Sequence, residues 1–142
     1  MNLSMYEQLE KVDKEKTRAK KIALLREYAQ SAPMKIILDL TFNPKWIWLL
    51  PAGAPPYSPA AKEADVHHVL KHDARRLQYF INTPEGKAMK TLRRETMFIE
   101  MLESVDRFDA KLLVSIKDKK MPFKSVTKKL VQEALPEATG VW

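Results

Sequence analysis

The stretch DAKLLVSIKDKKMPFKSVTKKLVQEALP, Asp109 to Pro136, decides how the chain is read. It reads as an apolar helix, a lysine-loaded connector and a second helix opened by Ser125. Lys117, Lys119, Lys120, Lys124, Lys128 and Lys129 fall within thirteen residues, opposed there by Asp118 alone. A helix start presents unpaired N–H groups and a partial positive charge, so it attracts anions before any side chain is counted. Lysines gathered around that start make it a clamp for phosphate. The expectation is that the rest of the chain holds this clamp, and others like it, against a nucleic-acid backbone.

The 142 residues suit one domain, with 45% apolar and 30% charged residues, as in a soluble globular protein. Three glycines leave little room for a phosphate-cradling loop, and no G-x-G-x-x-G or G-K-[ST] pattern occurs. Without cysteine, neither disulfides nor a thiolate zinc site can form. The opening MNLSMYEQLEK carries acids and lacks the apolar run of a signal segment, and no stretch reaches membrane-spanning length. A cytoplasmic protein is expected. The net charge of +7 points toward a polyanion as partner.

Ser4 to Glu7 has capping-box spacing, so a short helix starts there with Met5, Leu9 and Val12 on one face. A charge run then leads into Ile22, Leu25 and Tyr28, a second helix decorated by Lys16, Arg18, Lys20, Lys21 and Arg26. Pro33 suits the first turn of a third helix with Met34, Ile37, Leu38 and Phe42 inward, closed by Asn43-Pro44. Trp46 to Leu50 is the most apolar run and is expected in the core. Pro51 to Pro59 is a proline-stiffened connector. Ser58-Pro59 opens a long helix to about Ile81, with Val66, Val69, Leu70, Leu77 and Phe80 inward. Asp65, His68 and His72 lie on it near one face, but no third strong ligand accompanies them and no metal is expected. Arg75 and Arg76 are better suited to a polyanion.

Thr83-Pro84 opens a further helix extending to Val105, with Met89, Leu92, Thr96, Ile99 and Leu102 or Glu103 along successive turns. Lys87, Lys90, Arg93 and Arg94 load its first half, and Glu95, Glu100 and Glu103 its second. The tail from Glu137 to Trp142 has no periodicity and reads as loose. The fold class is all-α: one domain over residues 1–142, a bundle of six or seven helices.

Several stretches carry a family resemblance: Tyr6-Glu7-Gln8-Leu9-Glu10, Ala23-Leu24-Leu25, Met34 to Leu38, Leu40-Thr41-Phe42-Asn43 and Trp46 to Pro51. Near the other end stand Leu112-Leu113, Lys117-Asp118, Ser125-Val126 and Pro136. In these the chain resembles the N-terminal all-helical DNA-binding domain of the ATP-dependent DNA ligases of T-even phages. It is also similar to small proteins of T-even-like phages. The middle matches only in helical character. Phe123-Lys124 stands where that family places a glycine ahead of the serine, and no K-x-D-G adenylation lysine is present. The resemblance therefore implies a helical fold and contact with duplex phosphates across a minor groove, without nick joining.

No serine, histidine and acid spacing marks a nucleophile, and the acids are too dispersed for a magnesium site. The expected function is a non-enzymatic phage protein that binds double-stranded DNA through its phosphates, needing no cofactor. Its expected contacts are Lys87, Lys90, Arg93, Arg94, Lys117, Lys119, Lys120, Lys124, Ser125, Lys128 and Lys129, with Lys20, Lys21, Arg75 and Arg76 as secondary ones. Two alternatives stand beside it. One is an interaction module for a phage replication protein or a host protein, with Trp46, Trp48, Tyr57 and Trp142 as anchors. The other is a virion or assembly component.

Overall fold

A computed structural model describes residues 3–61, 66 and 69–142. Among these are α1 (Met5–Lys14), α2 (Arg18–Tyr28), α3 (Ala32–Phe42), α4 (Val69–Asp73), a 3-10 segment (Ala74–Phe80), α5 (Pro84–Ala88), α6 (Thr91–Ser104), α7 (Arg107–Lys117), α8 (Lys128–Ala134) and α9 (Pro136–Thr139). The described fold is all-α, with more and shorter helices than six or seven. No strand forms among the described residues. The run Trp46 to Leu50 is extended, and Trp48 makes a single antiparallel bridge to Ile81.

The helix starts follow their local chemistry. Ser4 Oγ accepts the N–H of Glu7 while Glu7 Oε1 accepts the N–H of Ser4, closing a capping box. Thr83 caps α5 ahead of Pro84, and Asp106 caps α7 by accepting from Phe108 and Asp109. In α1, Met5, Leu9 and Val12 are fully buried, as their spacing requires. Leu25 of α2 and Met34, Ile37 and Leu38 of α3 join them.

One apolar cluster connects α1 to α8, and α7 runs through its middle with Ala110, Leu112, Leu113 and Ile116 enclosed. α7 packs on α1, α3 and α6; α2 packs on α1 and α8. Truncating a fully buried leucine such as Leu113 to alanine costs about 2–5 kcal/mol. No described helix is long and apolar enough to cross a membrane.

Two expected long helices are broken. Residues 59–61 are not helical, 62–65, 67 and 68 lie outside the described residues, and the segment from Ala74 tightens to 3-10 geometry. The Asp65 and His68 of the histidine reading therefore lie outside the described residues. The expected helix from Pro84 to Val105 stops at Ala88 and restarts at Thr91. The cause is Arg94, whose Nη2 donates to the carbonyls of Gly86 (2.7 Å) and Met89 (2.8 Å), satisfying groups that end α5. Gly86 allows the corner to pack, since a Cβ there would lie 1.9 Å from the Ile81 carbonyl oxygen. The break rotates α6, so Phe98, Met101 and Leu102 face inward and Leu92 is 75% exposed. The expected stripe from Met89 through Leu92 and Thr96 assumed an unbroken helix.

The C-terminal tail is docked. Thr139 is buried with its hydroxyl donating to the Leu135 carbonyl, and Trp142 stacks on Phe42 with ring centres 6.4 Å apart.

Candidate nucleic-acid interface

The lysine-rich connector between α7 and α8 is clasped onto the turn between α1 and α2. Ser125 donates its N–H (3.0 Å) and its hydroxyl (2.5 Å) to Asp13 Oδ1. Lys21 Nζ donates to Ser125 Oγ (3.1 Å) and to the carbonyls of Asp13 (2.6 Å) and Val12 (3.4 Å). The Ser125 hydroxyl bond chiefly holds the Asp13 carboxyl below its ordinary range. Burial opposes this, and the Ser125 amide, Lys21 and Lys14 add to it.

Around this clasp the connector contributes exposed Lys124, Lys128 and Lys129, and the α1–α2 turn contributes exposed Lys14, Lys16 and Lys20. The side chains of Lys16, Lys20, Lys124 and Lys128 make no hydrogen bond or ion pair among the described residues. Two nearby acids are engaged, Glu10 with Lys14 at 3.8 Å and Glu133 with Arg18 Nε at 2.8 Å. The Arg18 hydrogen bond holds Glu133 below its ordinary range, with the charge of Lys129 contributing.

The structure corrects the start of the second helix. α8 begins at Lys128, capped by Thr127, whose hydroxyl accepts the N–H of Leu130 at 3.1 Å. Ser125 lies three residues earlier and is enclosed by the clasp, so it fixes the connector rather than offering itself to a ligand. α8 has seven residues, so its macrodipole is small and side-chain charge dominates this surface.

Other expected contacts turn inward. Arg94 is 7% exposed, and its Nη groups donate to Leu49, Gly86 and Met89 carbonyls. Lys117 is 5% exposed and donates to the Pro51 carbonyl (2.9 Å) and to Asp118 (2.8 Å). Burial pushes Asp118 up, but Lys117, the Gly53 amide and the charge of Lys120 outweigh it and hold the carboxyl below its ordinary range. Lys119 donates to the Asn43 carbonyl at 2.9 Å, and burial holds its ammonium below the usual lysine range against the pull of Asp39. These cations satisfy carbonyls that would otherwise end in low dielectric without a donor. Arg94 and Lys117 are removed from the expected contacts, and Lys119 and Lys21 hold the fold at the edge of the surface.

Lys87, Lys90 and Arg93 remain exposed at the α5–α6 corner, and Lys120 is exposed beside the connector. Arg75 and Arg76 are exposed on the 3-10 segment, with Arg76 3.8 Å from Asp73. The aromatic anchors are committed elsewhere. Trp48 is buried and donates to the Leu40 carbonyl (3.1 Å), while half-buried Trp46 donates to Asp39 Oδ2 (2.6 Å). Tyr57 is half-buried, which pushes its hydroxyl above the usual tyrosine range.

The role of Asp13 escaped sequence reasoning. An acid within a run of lysines looks like surface charge, and its partner stands 112 positions later. A family model for a family of unknown function, DUF6433, matches residues 8–122, from α1 to the start of the connector. The chain belongs to the DUF6433 family. No curated protein and no solved structure matches it. In this DUF6433 chain the clasp joins Asp13 and Lys21, inside the matched span, to Ser125, three residues beyond it.

Proposed function

We propose that this DUF6433 protein binds double-stranded DNA along its phosphates, without sequence preference and without catalysing a reaction. The observation that supports this reading is the clasp. It holds exposed lysines from two segments distant in sequence around one point, with Asp13 and Glu133 already engaged. Lys16, Lys20, Lys124, Lys128 and Lys129 are the contacts. Each neutralises a phosphate and releases condensed counterions, so affinity comes from solvent entropy and carries no sequence information. Lys87, Lys90, Arg93 and Lys120 form a second exposed group, and the clasp holds the first one rigidly.

The test is fluorescence anisotropy with intact duplex, nicked duplex and single strand across a salt series. With about five phosphates neutralised, log K falls against log salt with a slope of about −4.5. Lys124→Glu, Lys128→Glu and Lys129→Glu together weaken binding about a hundredfold, equally on unrelated sequences. Binding that ignores salt, or a loss confined to one sequence, would defeat the proposal. A preference for nicked duplex would direct the reading toward strand-joining complexes.

A further inference from the structure

In a chain of net charge +7, one apolar cavity among the described residues carries a carboxylate, Glu95, on its wall. It has a volume of about 340 Å³, at the lower end of the range for small-molecule sites. Its floor is the α6 face carrying Glu95, Phe98 and Ile99, at i, i+3 and i+4, and its roof is the proline-rich strap from Leu50 to Pro56.

The strap is tied down at three points. Lys117 Nζ donates to the Pro51 carbonyl (2.9 Å), Gly53 donates its N–H to Asp118 Oδ2 (3.1 Å), and Ser58 donates its N–H to Glu103 Oε2 (2.8 Å). Gly53 turns the strap with φ +88°, a conformation that disfavours a side chain. Strap and floor thus form a pre-shaped recess, which lowers the entropy cost of filling it.

The polar groups at this recess are mostly acceptors. Pro51, Pro55 and Pro56 have no N–H, and that of Gly53 is engaged by Asp118. Lys117 is also engaged by Asp118, so that pair contributes little net charge. Glu95 is different: it is half-buried and its side chain makes no hydrogen bond or ion pair among the described residues. A partly buried carboxylate beside apolar walls, with no partner in the protein, is placed to pair with a cation that carries an apolar body. We infer that this recess binds a small organic cation, a primary amine or amidine on a flat apolar body, with its charge on Glu95 and its body against Phe98 and Ile99. The assignment does not depend on DNA binding.

The experiment is an NMR titration of the full chain with benzylamine, using benzyl alcohol and benzoate as neutral and anionic counterparts. Benzylamine binds best and benzoate worst, with amide shifts centred on Gly53, Ala54, Glu95 and Ile99. Glu95→Gln weakens benzylamine about tenfold and leaves benzyl alcohol unchanged. Ala54→Trp, at an exposed strap position, blocks both without touching the core. The triple lysine reversal at the connector leaves the titration unaltered. Equal binding of benzoate, shifts centred elsewhere, or no saturation by about 10 mM overturns the assignment. An arginine-bearing tripeptide that binds more tightly than benzylamine also overturns it, in favour of a partner protein's side chain.

Discussion

Arg94 and Lys21 each donate to three acceptors, and their surroundings differ. Arg94 sits in the α5–α6 corner at 7% exposure, holding carbonyls of Leu49, Gly86 and Met89. Lys21 is half-buried and holds the Val12 and Asp13 carbonyls and the Ser125 hydroxyl. Water cannot readily replace the first set of bonds, whereas it can reach the second. The same chemistry therefore supports stability in one place and the aim of a surface in the other.

The largest effect belongs to Arg94. Arg94→Ala strands up to three carbonyl acceptors and lowers unfolding free energy by about 3–5 kcal/mol in urea titrations. A loss under about 1 kcal/mol would mean that water enters the corner, and the contrast with Lys21 would collapse. Lys21→Met costs less, about 1–2 kcal/mol, because solvent can take over its bonds.

Asp13→Ala sharpens the comparison, because it separates electrostatics from positioning. Removing a negative charge beside the lysines would by itself tighten DNA binding. Opening the clasp frees Lys124 and Lys128 from their setting, and the expected net result is several-fold weaker binding, with about 1–2 kcal/mol of stability lost. Tighter binding in an anisotropy titration would reduce the clasp to a bystander.

The pH dependence follows from the same carboxylates. Asp13 and Asp118 have folded pKa values below their unfolded ones, so their stabilisation is present above about pH 4. It is lost as pH falls through the lowered folded values, since the unfolded chain binds the protons first. Urea midpoints measured from pH 6 to pH 2 should fall below pH 4, and Asp13→Asn should flatten part of that fall.

The smallest expected effect concerns Lys119, which closes α7 with φ +59°, where glycine is usual. The N–H of Lys119 bonds the Ile116 carbonyl and that of Lys120 bonds the Ser115 carbonyl, completing a Schellman turn. Lys119→Gly relieves about 1 kcal/mol of backbone strain but loses the bond to Asn43, so the net change stays within about 0.5 kcal/mol. Lys119→Ala keeps the strain and loses the bond, and it should be the less stable of the two in the same titration.

Much of the architecture was legible because it depends on neighbours in sequence. The capping box at Ser4, the first-turn Pro33, the cap before Pro84 and the stripe Met5, Leu9, Val12 each involve residues within one or two turns. The α6 face was misread because its phase depends on a break made by an arginine that sequence reading had assigned to the surface. Lys21, Arg94, Lys117 and Lys119 left the expected DNA surface for a related reason. Lysine and arginine have long apolar stems and several donors, so they are equally suited to bulk water and to an unsatisfied carbonyl in the fold.

By itself the sequence determined the helical class, the caps at Ser4 and Thr83, the inward faces of α1 and α3 and the excess of positive charge. These depend on hydrogen bonds and periodicities confined to a few residues. The tertiary structure decided which cations face water, where the two longest apolar patterns break, and that an aspartate in the first helix holds the connector before the eighth. Those outcomes depend on where distant carbonyls and carboxylates end without donors, and that is defined only once the chain has packed.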